Sequence, residues 1–389
     1  MKLGITPVLK EACTNKVKII AVPRLRVASQ KVRTFLIASD IDGTWKSADK
    51  TQARDASVLD NLMKQLIEKC KKAGINIFYG QVTARPPVRV MQENIISPNF
   101  TLTYNGGVIH ENGPHPINKI LGSWEKIHKQ TKFNADNIIE LSKNIANAPK
   151  YQGLKIETVG QVVKNPAADG CKFISSICVH NDSITLDASK GETSEIFDKA
   201  KYKTPSQIKD FMADLETQLK AQGVKYKISP AYLFAGKPIV MFDIAAPNAN
   251  KGDAINYLTK KVKTQNIIVA GDVGNDIAMM PDDGRNVIAV GNDLQLKDYV
   301  SKLTKSKVVI ADDPNASCSV NLFDGIVKVL KSKTDQLYKK GQIEIKPDFD
   351  NFEFEPITNT AAAKVADYYG DILMPNNSPS FNKTVRNFK

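Results

Sequence analysis

Cysteine and histidine are scarce in this chain, which has five cysteines and four histidines among 389 residues. The cysteines form neither a CxxC pair nor a zinc-type spacing, and the histidines form no HExxH or HxH pattern. We therefore expect reduced thiols in a cytoplasmic protein, without a disulfide framework or a zinc site. No apolar stretch reaches the length of a membrane span, so we expect no membrane association.

Acidic residues are outnumbered, since 54 Lys and Arg face 41 Asp and Glu, and the formal net charge is +13. A basic surface attracts nucleic acid, but here the charges are scattered, without an RGG tract, zinc finger or RNP signature. We therefore expect no nucleic-acid partner. The excess charge is equally compatible with small anionic substrates. With 42% hydrophobic residues, the chain is long enough for two domains with cores of their own.

The most informative stretch is residues 35–44, FLIASDIDGT, an apolar run that ends in two carboxylates one residue apart. Such runs are typical of buried parallel strands, and ligands bind beyond the carboxyl ends of those strands. Asp40 and Asp42 repel each other unless a cation or a shared proton compensates their charge. The stretch therefore predicts a magnesium (Mg2+) site for phosphoryl transfer. The alternative is an Asx-turn after a strand, which explains one Asp and Gly43.

Three later segments also bring polar residues to the ends of apolar runs or to a helix start. Residues 75–79 form an apolar run before Thr83, Asn250-Lys251-Gly252 opens a predicted helix over 252–263, and residues 267–270 lead to Asp272, Asn275 and Asp276. The order of an Asp pair, a Thr, a Lys and a second acidic cluster matches the four motifs of the haloacid dehalogenase (HAD) superfamily of phosphohydrolases. The chain resembles this family over roughly residues 34–332.

The resemblance implies a role for each motif residue. Asp40 is the expected nucleophile, which forms an aspartyl-phosphate, and Asp42 is the expected general acid and base. Lys251 is expected to neutralise charge on the nucleophile and the phosphate. The expected phosphate- or substrate-binding residues are Gly43, Thr44, Thr83, Ala84, Arg85, Asn105 and Lys251, with Thr83 also counted as catalytic. The expected magnesium ligands and their supports are Asp40, Asp42 through its carbonyl, Asp272, Asn275 and Asp276.

Two positions depart from the common family pattern. Ala84 stands where Gly is usual in the second motif. Trp45 stands where Leu is more frequent, in a DxDxTW form similar to that of plant sucrose phosphatases. Two hypotheses follow for Trp45: it stacks on a sugar ring at the entrance of the site, or it packs in the core.

The rest of residues 34–332 predicts an α/β fold with a doubly wound parallel sheet. Apolar residues at three- and four-residue spacings predict an amphipathic helix over 58–70, capped by Gly74. Strands over 287–290 and 308–310, with helices near 294–303 and 321–331, complete the sheet.

The interval between Thr83 and Lys251 is too long for one connection and predicts an inserted α+β domain. Its predicted helices lie near 135–147 and after Thr204-Pro205, and its predicted strands are 173–179, 183–186, 226–229 and 239–244. This insert resembles the C2-type cap of subfamily IIB, which includes Cof-type and sucrose-6-phosphate phosphatases. Residues 103–107, TYNGG, resemble the NGG turn of that subfamily, although a simple Asn-Gly hairpin turn explains them equally well.

The chain ends differ in composition from the middle. Residues 1–33 hold eight Lys or Arg and one acid, Glu11, which predicts an extra strand with a basic arm; an organellar leader is the alternative, and Ser29 as the sole serine argues against it. The predicted parts are a basic extension (1–33), a discontinuous core domain (34–116 and 247–332), a cap domain that sets substrate specificity (117–246) and an irregular tail (333–389).

The function that the resemblance implies is a magnesium-dependent phosphatase acting on a small phosphorylated metabolite, foremost a sugar phosphate. A phosphotransferase or phosphomutase on the same fold and a non-catalytic HAD-like binding protein are the alternatives. The expected oligomeric state is a monomer or a weak dimer.

Overall fold

The computed structural model describes residues 33–46, 53–87, 90, 98–111, 119–162, 164, 169–181, 206–234, 238–314 and 316–352. Several predictions lie outside these residues. They concern the basic extension up to residue 32, the cap strand 183–186, the helix start at Thr204-Pro205 and the tail beyond residue 352.

The secondary structure alternates strands with helices through most of the chain. The strands are β1 (Thr34–Asp40), β2 (Asn76–Val82), β3 (Phe100–Thr103), β4 (Val108–Glu111), β5 (Lys119–Ile120), β6 (Leu154–Thr158), β7 (Ile174–Asn181), β8 (Lys227–Phe234), β9 (Pro238–Ala245), β10 (Asn266–Gly271), β11 (Asn286–Val290) and β12 (Lys307–Ala311). The helices are α1 (Ala53–Lys72), α2 (Gly122–Lys129), α3 (Ala135–Ala146), α4 (Val159–Val162), α5 (Ser206–Ala221), α6 (Lys251–Val262), α7 (Leu294–Ser301) and α8 (Cys318–Lys339). None of these helices in the described ranges is long and apolar enough to cross a bilayer.

The larger sheet has the strand order β12-β11-β10-β1-β2-β3-β4-β5. The strands from β12 to β3 are parallel, and β4 and β5 extend the sheet in antiparallel fashion. Helices α1 and α8 cover one face, and α6 and α7 cover the other. After β1 the chain adds β2 and β3 on one side of β1, and it later adds β10, β11 and β12 on the other side. The winding direction therefore reverses between β1 and β10. Ligands bind at this switch point in doubly wound sheets.

The predicted α/β class is confirmed, and so are the local patterns behind it. The apolar stripe of α1 packs on β1 and β2 through Leu59, Leu62, Met63, Leu66 and Cys70, which are at most 2% exposed. The run that was interpreted as a buried strand, Phe35 to Ala38, has no exposed surface.

A second sheet, formed by the insert, is antiparallel with the order β6-β7-β9-β8. Helices α3 and α5 pack on one of its faces through residues such as Ile138, Phe211 and Leu215. Three of the predicted cap strands and the helix near 135–147 are present. Strand β6 was missed because only Leu154 and Ile156 carry its alternation among polar residues.

The C-terminal prediction needs a correction. Residues from 333 onward were expected to be irregular, yet helix α8 continues to Lys339. The buried face of the helix continues through Thr334 and Leu337. Only residues 340–352 are irregular within the described tail, and Phe349 (7% exposed) packs there on α1 and α8.

Candidate active site

Three carboxylates meet at the switch point of the large sheet. Asp40 ends β1, Asp272 follows the end of the adjacent strand β10, and Asp276 lies in the 3-10 turn Gly274–Met279. One oxygen of each lies within 4.8 Å of the others. The backbone N–H of Asp272 donates to Asp276 Oδ2 at 3.0 Å, which orients the buried Asp276. The resemblance to the HAD motifs predicted this cluster, and the carboxyl ends of the parallel strands β1 and β10, which share one edge, bring Asp40 and Asp272 together.

Lys251 is the first residue of α6, and its side chain reaches the cluster. Its ammonium donates to Asp40 Oδ1 at 2.6 Å and to Asp276 Oδ1 at 2.7 Å. The side chain is 2% exposed. Asn250 caps the helix by accepting from the backbone N–H of Asp253 at 2.9 Å, so the position of Lys251 depends on a well-formed helix start.

The charges in this cluster do not balance, because three carboxylates face one ammonium. Burial raises the pKa of Asp40 to about 7; Lys251 opposes this rise and the charge of Asp276 adds to it. Burial also raises the pKa of Asp272 to about 6. Burial alone lowers the pKa of Lys251, but Asp40 and Asp276 outweigh it, and the net shift is upward. The lysine therefore stays protonated, and its single positive charge does not balance the three acids.

The cluster fits a magnesium ion on two observations. Its oxygens are the hard ligands that magnesium prefers, and the unbalanced carboxylate charge calls for a cation. Gly43 also lies directly against Asp272: a Cβ at Gly43, which has φ +80°, would lie 2.0 Å from Asp272 Oδ2. The loop after β1 thus packs directly against Asp272, which follows the end of β10. Asn275 is exposed in the same turn as Asp276.

The hydroxyl of Thr44 contacts a carboxylate in this structure. Thr44 is fully buried, and its Oγ1 donates to Asp272 Oδ1 at 2.7 Å. This bond orients Asp272, a role that the sequence did not predict for Thr44, which was expected to bind phosphate.

Arg85 pairs with Asp42, which the sequence also did not predict. Its Nε donates to Asp42 Oδ2 at 2.6 Å, and its Nη2 donates to Asp42 Oδ1. Both side chains keep solvent contact, at 28% and 41% exposure. Arg85, which was expected to bind substrate, therefore holds the carboxylate of Asp42, the expected general acid. Nothing in the sequence spacing signals a pair that joins the ends of two strands.

Thr83 immediately follows β2 and is 1% exposed. Its backbone N–H donates to Leu102 O at 2.9 Å, and its Oγ1 accepts from the N–H of Arg85 at 3.1 Å. The neighbouring Ala84 is exposed. Asn105 supports Thr83 from the next turn, because its backbone N–H donates to Thr83 O at 2.9 Å.

The NGG turn is both a hairpin turn and a part of the site region. It joins the antiparallel strands β3 and β4, so the simple hairpin interpretation holds. Its Asn105 contacts Thr83, and its Gly106 lies against Asn250, the cap of α6. The turn therefore touches the segments that carry two of the four motifs.

Trp45 belongs to the core. It is 3% exposed and stacks on Tyr79 with ring centroids 5.0 Å apart. Its carbonyl accepts from Ser319 Oγ at 2.6 Å, which ties the loop after Asp42 to α8. The packing hypothesis is confirmed, and the hypothesis of stacking on a sugar ring is wrong.

The chain is similar to several known proteins. Residues 186–326 match the family model described as sucrose-6F-phosphate phosphohydrolase. No curated protein sequence matches the chain significantly. A sucrose-phosphatase from Synechocystis sp., solved with sucrose and phosphate, is 18% identical over 76% of this chain and 98% of its own, with a TM-score of 0.47. A haloacid dehalogenase-like hydrolase from Bacillus subtilis is 15% identical over 78% and 96%, with a TM-score of 0.45.

The C-terminal domain of trehalose-6-phosphate phosphatase from C. albicans is 13% identical over 76% of this chain and 92% of that chain, with a TM-score of 0.38. Residues 186–326 of the chain thus resemble a phosphohydrolase family, and the order of the motif residues is similar to that of the HAD superfamily.

Proposed function

We propose that this protein is a magnesium-dependent phosphatase that hydrolyses a small phosphorylated metabolite of the sugar phosphate class through an aspartyl-phosphate. The observation that carries the proposal is the Asp40 carboxylate at the end of β1, bonded to Lys251 at 2.6 Å and grouped with Asp272 and Asp276. The match of residues 186–326 to a sucrose-6F-phosphate phosphohydrolase model supports a sugar phosphate as the substrate class.

In the proposed first step, an oxygen of Asp40 attacks phosphorus and the bond from phosphorus to the ester oxygen breaks. The carboxylate must be ionised to attack, and Lys251 favours that form by lowering the pKa of Asp40 against the effect of burial. Asp42 gives a proton to the leaving alkoxide. In the second step, Asp42 takes a proton from the water that attacks phosphorus, and Asp40 is released.

Asp40, Asp272, Asp276 and the carbonyl of Asp42 are the residues that would hold magnesium. The bound ion supplies positive charge that polarises the phosphoryl group. Lys251 contributes a fixed positive charge beside the same oxygens, from a buried position where electrostatic interactions are strong.

Arg85 adds a requirement to this sequence of steps. Both oxygens of Asp42 accept hydrogen bonds from Arg85, so Asp42 must leave the guanidinium before it transfers a proton. A phosphate group is a competing bidentate acceptor for arginine. We propose that the phosphate of the substrate draws Arg85 away, which frees Asp42 when substrate is present.

The test is phosphate release from a panel of phosphorylated metabolites in the presence of magnesium, with D40N as the paired control. Activity of the unmutated protein on sugar phosphates, lost in D40N, supports the proposal. Transfer of the phosphoryl group to an added alcohol in preference to water would indicate a phosphotransferase. If no ester is hydrolysed, the result favours the alternative of a non-catalytic binding protein.

A further inference from the structure

Trp124 lies at the junction of the two sheets. It is in α2, which follows the edge strand β5, and it is 2% exposed. Its indole N–H donates to Gly106 O at 3.1 Å. Its ring packs on Tyr257 of α6 with ring centroids 5.0 Å apart. One buried side chain thus contacts the NGG turn and the helix that begins with Lys251.

The turn held by Trp124 presses against the start of α6. Its residues Tyr104, Asn105 and Gly106 all have positive φ, at 50°, 53° and 91°. A Cβ at Gly106 would lie 2.5 Å from Asn250 O and 2.9 Å from Lys251 N. The turn therefore leaves α6 no room to shift toward it.

A second contact fixes α6 further along. Ser123, the neighbour of Trp124, has its Oγ 2.6 Å from the hydroxyl of Tyr257. Tyr257 lies six residues after Lys251, less than two helical turns away. Helix α2 thus restrains α6 directly at Tyr257 and, through the turn, at its first residue.

The same tryptophan is linked to the core of the insert. Its ring meets His128, with centroids 4.7 Å apart, and His128 meets Phe173, again at 4.7 Å. Phe173 is part of the apolar core that α3 and α5 form on the smaller sheet. A continuous row of packed rings therefore runs from the insert to the Lys251 helix.

We infer that Trp124 is a positioning residue that fixes Lys251 on Asp40 and Asp276 and makes that placement depend on the position of the insert. Lys251 reaches both carboxylates at 2.6 and 2.7 Å, so a small displacement of α6 lengthens both bonds. This goes beyond the proposed function, and only the activity measurements below rest on it.

The first test is W124F, which keeps an aromatic ring and removes the indole N–H. Tyr151→Phe is the matched control, because Tyr151 is a buried aromatic of the insert whose hydroxyl donates to Asp214 Oδ2 at 2.8 Å, away from Lys251. Hydrogen exchange followed by mass spectrometry should show faster exchange of residues 250–262 in W124F and no local change there in Tyr151→Phe. Unchanged exchange of residues 250–262 in W124F, or an equal change in both variants, overturns the inference.

The second test compares W124F in the unmutated and the K251R backgrounds. Misplacement of a catalytic group by about 1 Å can cost on the order of 10²-fold, and we expect a smaller loss in kcat, about ten-fold, for W124F. In the K251R background, the contact between residue 251 and the two carboxylates is already altered. There the further loss in kcat caused by W124F should be no more than about two-fold, because the two changes act on one contact. An equal loss in both backgrounds indicates a merely structural role. If the unmutated protein hydrolyses no ester, the proposed function fails, and the exchange experiment still decides the inference.

Discussion

His128 should make the protein lose stability in mild acid. The ring is fully buried between Trp124 and Phe173, and within the described part of the chain neither ring nitrogen has a hydrogen-bond partner. Burial lowers the pKa of His128 from 6.5 to about 4, and the charge of Asp253 opposes this only in part. As the pH falls below 6.5, the unfolded chain takes up a proton that the folded protein rejects.

The size of the loss follows from linkage. With a folded pKa of about 4 and an unfolded pKa of about 6.5, the contribution lost is about 1 kcal/mol at pH 5.5 and about 2 to 3 kcal/mol at pH 4.5, relative to pH 7.5. The loss is complete only below the folded pKa. Other groups also titrate in this range, so the informative quantity is the difference between the unmutated protein and a variant without the histidine.

The assay is urea unfolding of the unmutated protein and H128F between pH 4.5 and 7.5. Phenylalanine keeps a ring between Trp124 and Phe173 and cannot be protonated. The difference in unfolding free energy between the two proteins should shift in favour of H128F by about 1 kcal/mol from pH 7.5 to pH 5.5. Parallel pH profiles of the two proteins would refute the argument and would mean that His128 is protonated in the fold or finds a partner.

Four further outcomes are expected at the site. D40N should abolish turnover while the thermal unfolding temperature is retained, and substantial residual phosphate release would remove Asp40 as the nucleophile. Activity should need magnesium and be suppressed by calcium, which takes more ligands at longer distances; full activity in excess EDTA would contradict this. D42N should lower the rate on an alkyl phosphate by roughly 10²–10⁴-fold. The loss should be smaller on an aryl phosphate, because its leaving group needs little protonation. Equal rates for D42N and the unmutated protein on the alkyl ester would rule out Asp42 as the acid. Gly43→Ala should weaken magnesium binding, measured by calorimetry, because the new Cβ would lie 2.0 Å from Asp272. Gly291→Ala is the control and should not weaken it, because Gly291 has a similar φ of +74° but no atom within 4 Å of the new Cβ. Equal affinities in the two variants would count against the Asp272 site.

The elements that local patterns encode could be predicted from the sequence. The apolar run before Asp40 and the one before Asp272 are neighbouring parallel strands, and this adjacency alone brings the carboxylates together. The stripe of α1 is likewise visible in three- and four-residue spacings. Lys251 was predicted from the motif order that resembles the HAD superfamily, together with its place at a helix start, and the structure puts its ammonium on Asp40.

Contacts between distant segments could not be predicted in this way. The pairing of Arg85 with Asp42 and the bond from Thr44 to Asp272 depend on side-chain directions at strand ends, which spacing does not encode. Trp124 has no motif around it, and its contacts to Gly106 and Tyr257 arise only when three segments pack together. The predicted end of α8 lies too early in the sequence, because the last apolar residues of the helix are interspersed with lysines and polar residues.

A covalent phosphoryl group on Asp40 is the most direct test of the proposed mechanism. The protein and D42N are mixed with magnesium and an aryl phosphate, whose leaving group needs little protonation in the first step, and are then quenched in acid, digested and examined by mass spectrometry. A phosphoryl adduct is expected on the peptide that contains Asp40, in greater amount in D42N because the second step lacks its base. Phosphate release without any adduct on that peptide, or an adduct on another residue, would contradict it.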